Sequence, residues 1–315
     1  MERRELAGMP EGVSVITLGT MLFGRPVPKQ EAIGQVHAAL DLGVNLFDTA
    51  DIYEGYDRFL GSPGGVAETI LGEALRGRRD RAHITTKVGN PVGSGQDGGH
   101  PAGADYAGTG LSPDHVEQQI DASLRRLRTD YVDYYLLHIA DADTPLEDTL
   151  GAVDRLVRAG KVRHWGFSNF DAAQIETMLD LCRAGAAPPP VVAQPCYNWL
   201  ERDVESGYLP ACRRAGIGLT PYRPLAGGLL SGKYRPGGTP PAGSRAAESA
   251  WIDAAEIPHE RLRPFDEEAA VAGVAPACHA VRWLLEREGV VSVVTGVKST
   301  SQLEELAACV QGPTA

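Results

Sequence analysis

No run of the chain approaches the ~20 consecutive apolar residues that a membrane-crossing helix needs, so none is expected. The opening stretch, MERRELAGMPEG, lacks the apolar core of a secretory signal, and a cytoplasmic location is the expectation. Cysteine is scarce and unpatterned. Cys182, Cys196, Cys212, Cys278 and Cys309 make an odd count with no Cys-x-x-Cys spacing. This argues against a disulfide or metal framework and predicts buried, reduced thiols. The eight histidines have no metal-ligand spacing either, so no metal is expected. Positive charge is not in excess: 30 Lys and Arg stand against 41 Asp and Glu, a net charge of −11. Nucleic acid and anionic membrane are therefore not expected as main partners, while a local basic pocket for phosphate remains compatible with that total.

What is present is a chain of 315 residues, 43% hydrophobic and 23% charged, ordinary globular usage with enough length for a sizeable core. Short apolar runs alternate with amphipathic stretches. Strands are predicted over 13–18, 44–48, 82–87, 131–137, 162–167, 191–194, 217–222 and 290–295. Helices are predicted over 29–42, 66–77, 112–128, 146–160, 171–183, 203–215, 276–288 and 300–310. Ser112-Pro113-Asp114 reads as an N-cap and first turn ahead of Val116, Ile120, Leu124 and Leu127 at helical spacing, and Asp171 is a second candidate cap. Eight strands each followed by a helix predict an α/β fold, a (β/α)8 TIM barrel, as one domain over 1–315. Two polar, glycine-rich stretches at about 89–110 and 223–263 read as long loops.

Catalytic groups in such barrels sit at the carboxyl ends of the strands. FDTADIYEG ends a strand on Asp48, with Tyr53 five residues on; HITTKVG carries Lys87 and VDYYLLH ends in His138. Each alone has a plain structural reading: a solvated lysine, a packed tyrosine, a satisfied core histidine. Their shared placement favours chemistry. A lysine beside a tyrosine stabilises phenolate and is expected to pull its pKa down from about 10, with Asp48 keeping the lysine charged. His138 would hold a carbonyl oxygen or relay the proton. The set suits proton donation to an oxyanion forming on a carbonyl.

FDTADIYEG, ITTKVGN, SLRRLRTDYVDYYLLH, GKVRHWGFSNF, TPYRPLAGGLLSGKY and SVVTGVKSTSQLEE together resemble the aldo-keto reductases, from about Val13 to Cys309. The nearest likeness is to the bacterial branch related to the potassium-channel β-subunits. The resemblance implies a (β/α)8 barrel that binds NADPH in extended form across its mouth. It implies catalytic roles for Asp48, Tyr53, Lys87 and His138, with Tyr53 the general acid in reducing an aldehyde or ketone. The channel β-subunits carry asparagine at the His138 position, so His138 favours a working reductase. The alternative is an NADPH-sensing regulatory protein with slow residual activity.

The resemblance also assigns cofactor contacts. Ser168, Asn169 and Gln194 would bind the nicotinamide carboxamide and Tyr222 would stack on its ring. Pro224, Leu225, Gly227 and Lys233 belong to the pyrophosphate loop, with Arg245 as a clamp; Gly296, Lys298, Gln302 and Glu305 match the adenosine-phosphate segment. Lys298 with Lys233 or Arg245 implies NADPH over NADH. Two positions depart from the family. Arg223 stands where serine is usual, and would pair the pyrophosphate, face an anionic substrate, or point to solvent. Leu306 stands where asparagine is usual, removing one adenine contact. The partner would be a small carbonyl substrate, touched by Phe23, Tyr56, Trp199, loop 89–110 and Trp251. Oligomeric state is left open between monomer and homo-oligomer.

Overall fold

The computed structural model describes residues 1–58, 62–93, 110–234, 238–248, 252–253 and 257–311. The chain opens with β1 (Arg3–Leu6) and β2 (Met9–Ser14), an antiparallel pair. There follow β3 (Ile16–Gly19), α1 (Lys29–Asp41), β4 (Leu46–Asp48), α2 (Val66–Ala74), β5 (His83–Val88), α3 (Pro113–Leu127), β6 (Val132–Leu137) and α4 (Leu146–Arg158). The second half holds β7 (Val162–Ser168), α5 (Ala172–Arg183), β8 (Val192–Gln194), α6 (Tyr208–Arg214), β9 (Gly218–Leu219), α7 (Arg245–Glu248), α8 (His259–Val271), α9 (Pro276–Leu285), β10 (Val293–Thr295) and α10 (Thr300–Val310).

Eight strands, β3 to β10, run parallel in the order β10-β3-β4-β5-β6-β7-β8-β9. Leu219 pairs with Val290, and the amide of Val294 donates to the Pro221 carbonyl at 2.9 Å, which closes the sheet into a barrel. The predicted first strand, 13–18, is in fact two elements. Its first two residues finish the β1–β2 hairpin, and the chain turns at Val15 before entering the barrel. Among the predicted loops, 223–263 holds α7 and the start of α8, and 94–109 of the other lies outside the described residues.

Alternation along the strands decides what faces inward. Leu46, Tyr134, Leu136 and Val192 fill the barrel interior together with Leu6, Met9 and Val13 of the hairpin, which covers its amino-terminal end. Phe47, Tyr135 and Leu137 point the other way, into the layer between barrel and helices. Full burial of each such side chain contributes about 1.5–3 kcal/mol. Both predicted caps form: Ser112 Oγ accepts from the His115 amide, and Asp171 forms a reciprocal capping box with Gln174, whereas the helix expected over 203–215 begins only at Tyr208 and the 13-residue α8 was not expected.

The cysteine expectation needs correction. Cys278 of α9 and Cys309 of α10 form a disulfide, while Cys182, Cys196 and Cys212 are free thiols. The two partners lie 31 positions apart on adjacent helices, with Cα atoms 5.4 Å from each other. Only the packing of α9 on α10 brings them together, so spacing along the chain carried no hint. Among the described residues no helix is long and apolar enough to cross a membrane, and no cluster of His, Cys, Asp or Glu could hold a metal ion.

Candidate active site

The inward alternation that seats Leu46 and Leu136 also aims the next carboxyl-end residues into the barrel mouth. Asp48 follows Leu46 by two, and His138 follows Leu136 by two. Lys87 is paired in register with Leu136. A strand that was apolar throughout would bury only hydrocarbon here; this one ends on ionisable groups that must be paired. Lys87, 0% exposed, donates from Nζ to Asp48 Oδ1 at 2.6 Å, to the Thr49 carbonyl at 2.8 Å and to the Tyr53 hydroxyl at 3.2 Å. The second carboxylate oxygen of Asp48 accepts from Gln194 Nε2 at 2.7 Å. The Tyr53 and His138 rings meet edge-on, with centroids 5.9 Å apart.

The electrostatics depart from the sequence expectation at Tyr53. Its pKa is raised, because burial disfavours phenolate by more than Lys87 favours it, and Asp48 adds to the rise. The phenol is therefore a protonated acid through neutral pH. Burial works against the Lys87 ammonium, but Asp48 and Tyr53 outweigh it and hold the pKa above its ordinary value. His138 is driven well below the usual histidine range by burial, then by Lys87 and Arg58, so its imidazole is neutral. Its Nδ1 is buried with no hydrogen-bond partner among the described residues.

Asp48, Tyr53 and His138 line a cleft of about 740 Å³ at the carboxyl ends of the strands, with Lys87 buried behind them. Ser168, Asn169, Gln194 and Tyr222 form its next wall. Asn169 Nδ2 donates to the His138 carbonyl at 2.8 Å and to Ser168 Oγ at 3.0 Å, and the Tyr222 hydroxyl donates to Asn169 Oδ1 at 2.8 Å. Asn169 takes a left-handed φ of 56°, which asparagine tolerates better than most residues. Beyond this wall the turn 225–232 contributes Leu225, Gly227, Gly228 and Ser231, preceded by Arg223 and Pro224. Gly228 has φ 110°, a backbone conformation that side chains rarely adopt, and a Cβ there would push on Lys233 Nζ at 2.8 Å, so glycine suits this cradle. Arg245, Gly296, Lys298, Gln302 and Glu305 line the far end. The Lys233 ammonium is pulled below its ordinary pKa by burial, with Lys298 and Arg245 adding like-charge repulsion. Three cations around one end of a cleft, beside a glycine cradle, fit a ligand that carries phosphates there.

The substrate expectations fare unevenly. Tyr56 lines the cleft. Phe23 does not: it is 1% exposed and belongs to the core between barrel and helices. Trp199 does not line it either, because its ring packs edge-on against Phe265 and its Nε1 donates to Glu268 at 3.2 Å. Trp251 lies outside the described residues. Arg223 is a cleft residue in the left-handed region, φ 59°, with its guanidinium 3.7 Å from Glu201. Asn90, from the loop 89–110 expected to touch substrate, lines the cleft, and so do Met21, Leu22, Ile52 and Ile139, which were not singled out in the sequence, being ordinary loop residues that the barrel geometry gathers. Leu306 lines it too, at the place where the family's asparagine would stand.

Comparison with known proteins agrees with this architecture. Residues 15–312 match the profile of the Aldo/keto reductase family. A probable voltage-gated potassium channel subunit beta from Arabidopsis thaliana is 33% identical, over 97% of this chain and 90% of that one. Aflatoxin B1 aldehyde reductase member 2 from Homo sapiens is also 33% identical, over 94% and 82%. The glycerol dehydrogenase AKR11B4 from Gluconobacter oxydans superposes with a TM-score of 0.79 at 26% identity, covering 97% of this chain and 89% of its own. With a curled eight-stranded parallel sheet, ionisable groups at its carboxyl mouth and a profile match over nearly its whole length, this chain belongs to the aldo/keto reductase family.

Proposed function

We propose that the protein reduces an aldehyde or ketone to the alcohol with NADPH. The observation that carries this reading is the buried row Gln194–Asp48–Lys87–Tyr53, which ends on a protonated phenol facing His138 in the cleft. When bound, NADPH supplies the hydride that reaches the carbonyl carbon. Tyr53 gives its hydroxyl proton to the carbonyl oxygen, and the Lys87 ammonium steadies the phenolate left behind. Asp48 keeps Lys87 charged and in place, and Gln194 orients Asp48. His138, whose neutral ring lines the cleft beside Tyr53, hydrogen-bonds the same oxygen and directs it toward Tyr53.

The remaining lining residues hold the cofactor. Ser168, Asn169 and Gln194 bind its carboxamide, and Tyr222 stacks on the nicotinamide. Arg223 to Gly228 and Lys233 enclose the pyrophosphate, with Arg245 beside them. Gly296, Lys298, Gln302 and Glu305 take the adenosine end. The cationic set Lys233, Arg245 and Lys298 supports a 2′-phosphate, hence NADPH over NADH. A relative named an aldehyde reductase and a structural neighbour named a glycerol dehydrogenase support carbonyl–alcohol chemistry.

A second reading, an NADPH sensor, draws on the likeness to proteins named as potassium channel β-subunits. Fluorescence titration with NADPH alongside turnover on a carbonyl panel separates the two. Binding with turnover supports the reductase, and binding without turnover on any member supports the sensor.

A further inference from the structure

Lys298 does not project freely into the cleft. Its Nζ donates to Glu248 Oε2 at 2.7 Å and to the Gly243 carbonyl at 2.6 Å, and it stands 5.4 Å from the centre of the Tyr56 ring. Lys298 belongs to the loop after β10, Gly243 and Glu248 to the segment around α7, and Tyr56 to the loop after β4. Three loops thus meet over the far end of the cleft, and one ammonium ties them. Lys298 and Glu248 are both partly exposed, at 26% and 40% of their side chains, so solvent and ligands can reach the pair. A phosphate entering here meets Lys298 already occupied by a carboxylate. It must displace that carboxylate or share the ammonium with it, and the two anions repel each other.

We infer that Glu248 tempers the preference for NADPH over NADH, as an internal competitor of the 2′-phosphate for Lys298. Resting on the cofactor reading above, this adds an acid to its cationic end. Toward NADPH, Glu248 gives up Lys298 and weakens binding. Toward NADH, the same carboxylate stays on Lys298 and accepts from the ribose 2′-hydroxyl, the role an acidic residue plays in other dinucleotide sites. The clasp therefore admits both cofactors and narrows a preference that the cations alone would make steep.

The test is equilibrium binding of NADP+, NAD+ and the fragment 2′,5′-ADP to wild type and Glu248→Gln, followed by tryptophan fluorescence or calorimetry. Glu248→Gln should tighten NADP+ and 2′,5′-ADP about fivefold, the scale of losing a partly exposed charge pair, and weaken NAD+ or leave it unchanged. Lys298→Met should weaken the two phosphorylated ligands and leave NAD+ nearly untouched. Wild-type affinities for NADP+ and 2′,5′-ADP that Glu248→Gln leaves unaltered would overturn the clasp while the cofactor reading stands. No binding of either dinucleotide to wild type would overturn both.

Discussion

The proton economy of the site rests on which environment wins at each group. Tyr53 sits beside an ammonium, yet its pKa moves up, because its burial and the nearby Asp48 carboxylate outweigh Lys87. An acid that is to donate during reduction must hold its proton at the working pH, and this one does. The kcat/KM for reduction should stay level through neutral pH and fall only above about 10, the ordinary tyrosine value. It should show no acidic limb near 6.5, because His138 is neutral there already. A basic limb near pH 7 would mean a different group donates. The same histidine makes a stability statement. Its folded pKa lies below the unfolded value, so the unfolded chain takes up a proton first as pH falls. The stability that the neutral histidine confers is complete above about 6.5 and is lost progressively below it. The Lys87–Asp48 pair is sealed from water, so Lys87→Met would leave a buried carboxylate with no counter-charge. The expected loss is about 3–5 kcal/mol, read as a lowered midpoint in denaturant melts, together with loss of turnover.

The strands and their carboxyl ends were legible in the sequence because period-2 burial and ionisable punctuation are both local signals. The sequence alone puts Asp48, Lys87 and His138 at three strand ends, and alternation explains why all three face inward. What lay beyond reach depends on contacts between distant segments. The Gln194 bond to Asp48 spans 146 positions, and the Glu248 bond to Lys298 spans 50. Phe23 and Trp199 looked like substrate contacts by type, but an aromatic side chain near a loop serves the core as readily, and here both pack against other elements. Short elements were missed for a related reason. The β1–β2 hairpin and α7 span four to six residues each, too few for a period to declare itself. Helix contacts bring their own test. Gly72 of α2 faces α3 so closely that a Cβ would stand 2.5 Å from the Arg126 carbonyl, and backbone cannot yield as a side-chain tip can. Gly72→Ala should cost about 1–3 kcal/mol by overpacking, despite alanine's better helix propensity. A thermal melt equal to wild type would show that α2 has room to move.

The barrel divides its labour between ends. The hairpin and the apolar layer of Leu46, Tyr134 and Leu136 fill the amino-terminal end, leaving the carboxyl mouth to carry charge. The last two helices are tied by Cys278–Cys309, and α10 also carries Gln302 and Glu305 of the cleft. Thiol labelling of the denatured, unreduced protein should find three cysteines, and five after reduction. Opening this 31-position loop should cost about 3–4 kcal/mol of stability, seen as a lower melting temperature in reductant. Five reactive thiols without reduction would mean the helices pack without the bond. The proposed reduction requires Tyr53 to deliver a proton to a carbonyl oxygen in this cleft. The most direct measurement is NADPH consumption against aromatic aldehydes, dicarbonyls and keto-sugars, with wild type and Tyr53→Phe in parallel and NADPH affinity measured for both. The prediction is turnover by wild type on at least one member, a drop in kcat of ~10²-fold or more in Tyr53→Phe, and unchanged NADPH binding. Turnover by Tyr53→Phe at the wild-type rate, or tight NADPH binding by wild type with no consumption anywhere on the panel, would contradict it.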